Sequence, residues 1–232
     1  IKINSNNLDD KILMKEDGLP TYHFANVVDD YLMKITTIIR GEEWLPSLPI
    51  HKLIYDAFGW KMPDTLHLPL ILNPSGSGKL SKRDALKNNY SIFPIKWQEL
   101  DGLREKGLLA GVQLGYISQL GSSFNNDDIE LDVNKMSKKF SFSALQKGGA
   151  RFDFEKARSI NQKALSKIDS SLLISEHPKV FKKLKDRLGD KALKVVDLIK
   201  TRVSLLTDLQ KELTPFVLDP VEFDMAAVKK VF

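Results

Sequence analysis

The sequence predicts an α/β fold: a parallel sheet with crossover helices in the first part, followed by an all-α second part. Three observations predict it. Short apolar runs, rich in β-branched residues, alternate with segments of helical period between residues 20 and 90, the pattern of parallel βαβ units. Beyond residue 150 that alternation stops and helix punctuation takes over, with Pro178 at a first-turn position and Gly189 at a helix end. The charge divides in a similar way. Residues 135–211 hold 19 Lys/Arg against 8 Asp/Glu, a net of +11, whereas the remaining residues hold 16 against 22, a net of −6.

The elements follow in order. Lys11-Ile12-Leu13-Met14-Lys15 is short and apolar, and Asp17-Gly18 is a turn signal, so residues 1–20 read as a strand pair. Pro20-Thr21 opens a helix over Tyr22–Met33 that places Phe24, Val27, Val28, Tyr31 and Leu32 on one side. Ile35-Thr36-Thr37-Ile38-Ile39 reads as a buried strand ending at Arg40-Gly41. A helix from Leu45 to Phe58 comes next and is stopped by Gly59, and Leu66–Leu72 is a second buried strand. Tyr90 to Leu120 is expected to leave the sheet and form helices beneath it, ahead of an acidic loop at Asn125–Asp132. A helix begins at Phe140 and is stopped by Lys147-Gly148-Gly149; Asp153 is the N-cap of another, through Ala164. Lys179–Leu188 is helical, and Asp190 caps a longer helix from Lys191 to about Leu213. Its buried stripe is Val195, Val196, Ile199, Val203, Leu206 and Leu209, with Lys194, Lys200 and Arg202 off it. Phe216-Val217 and Phe223 read as packing residues, and the chain stops at Phe232 in mid-helix.

Composition excludes several classes. There is no cysteine, which removes disulfides and thiolate chemistry. No apolar stretch approaches the ~20 residues that span a bilayer. Ile1-Lys2-Ile3-Asn4-Ser5 has neither the charged nor the apolar region of a signal peptide and no initiator Met. A cytoplasmic protein with no membrane partner is expected, with sequence missing upstream. The basic excess suits a phosphate-rich partner, or equally a lysine-rich helical surface that serves solubility.

Two junctions draw chemistry. Arg40-Gly41-Glu42-Glu43-Trp44 lies where a strand gives way to a helix, the place where open α/β sheets bind ligands. Arg40 is placed to hold a carboxylate there, or else to pair with Glu42 or Asp30. Trp44 fits a packing or lid role better than adenine stacking, and His67 is either a ligand or base or a hydrogen-bonded strand residue. The second junction is Lys79-Leu80-Ser81-Lys82-Arg83, reached through Asn73-Pro74-Ser75-Gly76-Ser77-Gly78. Glycines allow close backbone approach and lysines supply point charges for phosphates, but a solvated basic loop has the same composition. It is not a P-loop: Asn73 stands where the first Gly is required, and Leu80 follows Lys79 where Ser or Thr is required.

Together these pieces resemble the glutamyl-tRNA synthetases of the bacterial type, a family of class I aminoacyl-tRNA synthetases. The resemblance rests on the runs Pro20–Met33 and Ile39–Pro46. It also rests on His67-Leu68-Pro69-Leu70, on Lys79–Arg83, which is similar to the second signature loop of class I enzymes, and on Phe152–Ala157. It covers nearly the whole chain and is strong over 20–97 and 148–160. It implies a glutamate–tRNA ligase that activates L-glutamate with ATP and passes it to the 3′ end of tRNA(Glu). Tyr22, Asn26 and Arg40 would hold glutamate, while Glu43, Trp44, Leu70, Ile71, Lys79, Ser81 and Lys82 would surround ATP. Lys79 and Lys82 would act on the triphosphate. Arg83, Lys147, Arg151 and Lys194 would meet tRNA. Mg²⁺ is expected with ATP, without a protein metal site, and a monomer is expected.

The implied division is 1–97, the C-terminal half of a Rossmann-like catalytic domain; 98–150, a helical region at the tRNA stem; and 151–232, the start of an anticodon-side bundle. Two departures stand out. No His-x-Gly-His sequence occurs, so the family's first signature is expected upstream of residue 1, and this chain alone is expected to be inactive. Gln119-Leu120-Gly121-Ser122-Ser123 replaces an expected aliphatic-Gly-Trp motif. The rival reading is a non-catalytic RNA-binding protein derived from a synthetase.

Overall fold

The computed structural model describes residues 8–75, 78–123 and 129–219, apart from the side chains of Glu176 and Val180. Residues 1–7, Gly76, Ser77, part of the acidic loop, Phe223 and the chain end therefore lie outside the described residues.

The first unit is a βαβ arrangement. Helix α1 (Tyr22–Leu32) starts after an antiparallel bridge between Met14 and Pro20 that closes around Gly18. Thr21, its N-cap, does not cap it by side chain; its hydroxyl donates back to Ile12 O at 2.7 Å and so ties the turn to the helix. Strand β1 (Thr37–Gly41) leads through a 3₁₀ segment (Glu42–Ser47) into α2 (Leu48–Ala57), and β2 (Asp64–Leu68) returns parallel to β1. The expected single helix over 45–58 is thus two pieces, because Pro46 and Pro49 withhold the backbone donors that a continuous α-helix needs. Val27, Ile54 and Tyr55 form the core between α1 and α2, joined by Leu13, Phe24, Ile50, Trp60 and Met62. Leu32 departs from the expected buried side and is largely exposed, whereas Tyr31 stacks on Trp60 at 3.8 Å.

The two strands expected to be buried are not. Ile39 is 55% exposed and no residue of β1 or β2 is fully buried. Among the described residues the sheet has only two strands, so neither face is covered as it is in a larger parallel sheet. The expected strand over 66–72 also divides. Pro69 interrupts it, and β3 (Ile71–Leu72) belongs to a second pair, parallel to β4 (Ala150–Arg151).

A short helix α3 (Lys82–Asn88) follows the basic loop, and α4 (Ala110–Gln119) and α5 (Val133–Lys139) follow a stretch of turns. The helix expected from Phe140 is only a 3₁₀ turn at Phe142–Ala144, capped by Ser141, with Phe140 and Phe142 exposed. Helix α6 (Phe154–Lys167) has the expected N-cap: Asp153 accepts from Lys156 N at 3.1 Å. Leu103, Leu108, Val112, Tyr116, Phe152, Ala157 and Ile160 make a second core that spans position 150.

The last part is helical: α7 (Ser170–Glu176), α8 (Pro178–Leu188), α9 (Lys191–Ile199) and α10 (Leu206–Val217) enclose a third core, Leu165, Leu173, Phe181, Leu184, Val196, Leu209 and Leu213 among them. Two expectations change here. The long helix from Lys191 is two helices, because the segment between them is held elsewhere: Ser204 O accepts from Asn161, and Leu206 N donates to Gly107 O at 2.9 Å. Asp190 makes no side-chain cap, and Lys200 is buried rather than exposed, donating to Asp197 at 2.8 Å and to Ile168 O at 2.7 Å. Phe216 is exposed, while Val217 packs on the third core. No helix among the described residues is long and apolar enough to cross a membrane.

Candidate active site at the ends of the parallel strands

Arg40 and His67 face each other across the register of β1 and β2. The guanidinium Nε donates to His67 Nε2 at 3.1 Å, and Nη1 lies 3.4 Å from His51 Nδ1 on α2. His51 Nε2 is in turn 3.0 Å from His23 Nδ1 on α1. Neither Glu42 nor Asp30 pairs with Arg40, so the ion pair left open by the sequence does not form. The third nitrogen, Nη2, is buried and has no hydrogen-bond partner among the described residues. Burial and the Arg40 charge push the His51 ring down to about 4, and the same two causes lower His67.

Tyr22, the first residue of α1, lies beside this group, 4.9 Å between ring centroids from Trp44 and 6.4 Å from His51. Asn26 lies one turn further along α1, half-buried. Tyr22, Arg40 and Trp44 are therefore brought together around His51, with both rings partly exposed.

The two glutamates after Gly41 divide their work. Glu42 accepts from Leu70 N at 3.1 Å, which holds the link between β2 and β3. Glu43 pairs with Lys79, and that lysine holds its carboxyl below the usual range. A Cβ at Gly41 would come within 1.9 Å of Glu43 Oε2, the free end of a flexible side chain that would have to turn aside. Lys79 itself sits on a small hairpin, where Leu72 bridges Lys79, Asn73 N donates to Gly78 O at 3.1 Å and Leu80 N to Ile71 O at 2.8 Å. Arg151 on β4 braces the hairpin by donating to Asn73 O at 2.9 Å and Pro74 O at 3.2 Å.

Ser81 is engaged as the N-cap of α3, in a reciprocal capping box with Asp84. Lys82 opens that helix with its ammonium 5.5 Å from the Trp97 ring centroid, and Arg83 follows it, exposed. Leu70 and Ile71 flank the Lys79 hairpin at the start of β3, and Ile71 is 40% exposed. Lys147 is exposed on the turn before β4, whereas Lys194 is on α9, against a different core. Among the described residues no group of three or more His, Asp or Glu could hold a metal ion.

Sequence reasoning missed His51, His23 and Trp97, and offered Glu42 only as a partner for Arg40. His51 was within reach, since helical spacing puts it on the same face as Ile54 and Tyr55. Glu42 carried no local signal, because its partner Leu70 is distant in sequence.

Comparison with known proteins gives this geometry a family. The family model for the catalytic domain of class I tRNA synthetases (E and Q) matches residues 1–159. The chain belongs to this family. The glutamate–tRNA ligase of Amoebophilus asiaticus is 40% identical over 239 residues, which covers 99% of this chain and 47% of that protein. The glutamate–tRNA ligase of Christiangramia forsetii is 40% identical over 240 residues, again with 47% of its length covered. The crystal structure of a glutamate tRNA ligase from Elizabethkingia meningosepticum, in complex with its amino acid, superposes with a TM-score of 0.87 at 41% identity. That match covers 99% of this chain and 47% of the other. The chain thus spans just under half the length of these synthetases. Its helices and small parallel sheets fit a class I synthetase domain followed by helices.

Proposed function

We propose that this chain is part of a glutamate–tRNA ligase: one side of its adenylation site and the near end of its tRNA-binding surface. In this reading residues 1–97 are the C-terminal half of a Rossmann-like catalytic domain, 98–150 meet the tRNA stem, and 151–232 begin the anticodon-side bundle. The observation that carries it is the Glu43–Lys79 ion pair, which joins the strand end bearing Arg40 to the hairpin bearing the lysines. A carboxylate site and a phosphate site then share one floor, as a reaction between an amino acid and ATP requires.

In that reaction the carboxylate of L-glutamate attacks the α-phosphorus of ATP, the bond to pyrophosphate breaks, and glutamyl-adenylate forms. The 3′-terminal hydroxyl of tRNA(Glu) then displaces AMP. Arg40, Tyr22 and Asn26 hold the amino acid. Leu70 and Ile71 offer apolar contact to the adenine beside Trp44. Glu43 holds Lys79 in place until the triphosphate draws it away, and Lys82, at the first turn of α3, stabilises the charge that collects on departing pyrophosphate. This catalysis is positional and electrostatic. Mg²⁺ accompanying ATP would neutralise phosphate charge, and among the described residues no cluster of three or more His, Asp or Glu would hold it. Arg83, Lys147, Arg151 and Lys194 supply phosphate contacts to tRNA, and Arg151 does so while bracing the hairpin. The protein works as a monomer in the cytoplasm.

The test uses the full-length protein, measuring glutamate-dependent exchange of pyrophosphate into ATP with tRNA present. Lys82→Ala lowers adenylate formation by ~10²–10³, the usual loss for one preorganised electrostatic group, and leaves tRNA affinity unchanged. Equal loss of both would remove Lys82 from the reaction. Wild-type protein that binds tRNA but supports no exchange would instead be the non-catalytic RNA-binding derivative.

A further inference from the structure

Arg40 is oriented by neutral rings rather than by a carboxylate. An arginine can only donate, so His67 Nε2 and His51 Nδ1 both accept and are unprotonated. His67 then carries its proton on Nδ1 and His51 carries its own on Nε2. The His51 Nε2–H is therefore the donor to His23 Nδ1 at 3.0 Å, which leaves His23 protonated on Nε2. All three rings are neutral, and their tautomers follow in one chain from the guanidinium. Among the described residues no carboxylate forms an ion pair with Arg40. Asp30 feels its charge without pairing to it. Two edges of the guanidinium are thus committed to imidazole, and buried Nη2 has no hydrogen-bond partner among the described residues.

The choice of acceptor matters. A guanidinium aimed by Asp or Glu has its charge compensated before any ligand arrives. One aimed by imidazole is held by directional hydrogen bonds and keeps its charge free of an ion-pair partner, which favours an anionic ligand over a neutral one of the same shape. Resting on the reading of Arg40 as the carboxylate-binding residue, we propose that His51 and His67 are positioning residues that aim Arg40 without pairing its charge to a carboxylate. This arrangement makes the pocket select a side-chain carboxylate over the isosteric carboxamide, glutamate over glutamine.

The test compares glutamate and glutamine as substrates for pyrophosphate exchange by the full-length protein with tRNA present. The variants are His67→Glu, His67→Gln and Arg40→Ala. His67→Glu places an anionic acceptor at Arg40 Nε; KM for glutamate rises roughly tenfold with kcat little changed, and the glutamate-to-glutamine ratio of kcat/KM falls by a similar factor. His67→Gln keeps a neutral acceptor, and the ratio returns to near the wild-type value. His51→Glu and His51→Gln repeat the comparison at Nη1 and serve if His67→Glu does not fold, as judged by circular dichroism and thermal unfolding. An unchanged ratio in the Glu variants, or equal loss in the Glu and Gln variants, overturns the proposal. Exchange that Arg40→Ala abolishes, together with an unchanged ratio in the Glu variants, overturns it while the site reading stands. Wild-type protein without glutamate-dependent exchange removes the site reading and this proposal together.

Discussion

At the scale of the residue, protonation of buried histidines is expected to weaken this fold in mild acid. His51 is almost wholly buried, and burial, Arg40 and His23 hold its ring down to about 4 from an ordinary 6.5; His67 is lowered as well. The unfolded chain therefore binds protons that the folded chain refuses. Their contribution to stability is full above pH 6.5 and is lost as pH falls from there toward about 4. For His51 the loss is roughly 2–3 kcal/mol. The carboxyls held low act later in an acid titration, Glu43 from the bottom of that window and Asp84, Asp169 and Asp197 below it. Urea midpoints measured at pH 7.5 and 4.5 should show this drop, and His51→Gln should flatten it. An equally steep drop in that variant would place the titrating group elsewhere. The position of Arg40 at a strand end was legible in the sequence. Its partners were not, because a hydrogen bond between residues on α1, α2, β1 and β2 exists only once those elements are assembled.

At the scale of the element, the helical part depends on one side chain. Asn161 on α6 is fully buried. It accepts from Leu109 N at 2.9 Å and donates to Gly107 O at 3.2 Å and Ser204 O at 2.7 Å. It thereby joins α6 to the start of α4 and to the link between α9 and α10. Asn161→Ala leaves Leu109 N and Ser204 O without partners, while Gly107 O keeps its bond from Leu206 N, and costs about 3 kcal/mol, read as a lower urea midpoint with unchanged slope. A loss well below 1 kcal/mol would mean that water replaces the amide. This contact also explains why a periodic run from Lys191 to Leu213 is not one helix. The stripe Val196, Val203, Leu206 and Leu209 is buried as its period suggests, but the backbone between Ile199 and Leu206 is drawn onto α6 and Gly107. Caps written in local sequence, Asp153 for α6 and Gly189 after α8, held because both partners lie within one turn.

At the scale of the whole molecule, the basic second half is a field rather than a site. A concavity of about 620 Å³ between α7, α8 and α9 is rimmed by Lys179, Lys182 and Lys185, while Lys194 is exposed nearby on α9. Nucleic-acid binding through such residues weakens with salt, by one counterion-release step per phosphate neutralised. Lys194→Ala should lower the slope of log affinity against log salt by about 1 for tRNA. Lys200→Met should leave that slope unchanged, because this lysine is spent internally on Asp197 and Ile168 O. Fluorescence anisotropy between 50 and 200 mM salt, the range over which such contacts are most sensitive, separates the two; identical slopes for Lys194→Ala and wild type would remove Lys194 from the interface.

The sequence by itself determined the alternation of strand and helix in the first part, the caps at Asp153 and Gly189 though not at Asp190, the basic excess beyond residue 135 and the motifs that carry the family. All of these rest on neighbours within a few residues or on composition. Only the tertiary structure decided which charges are free. Lys200 turned inward, Glu42 and Glu43 took opposite partners, Lys82 settled over Trp97, and Arg40 was handed to two imidazoles with one nitrogen left over. Pairing of this kind depends on distances between residues far apart in the chain, and no local pattern encodes them.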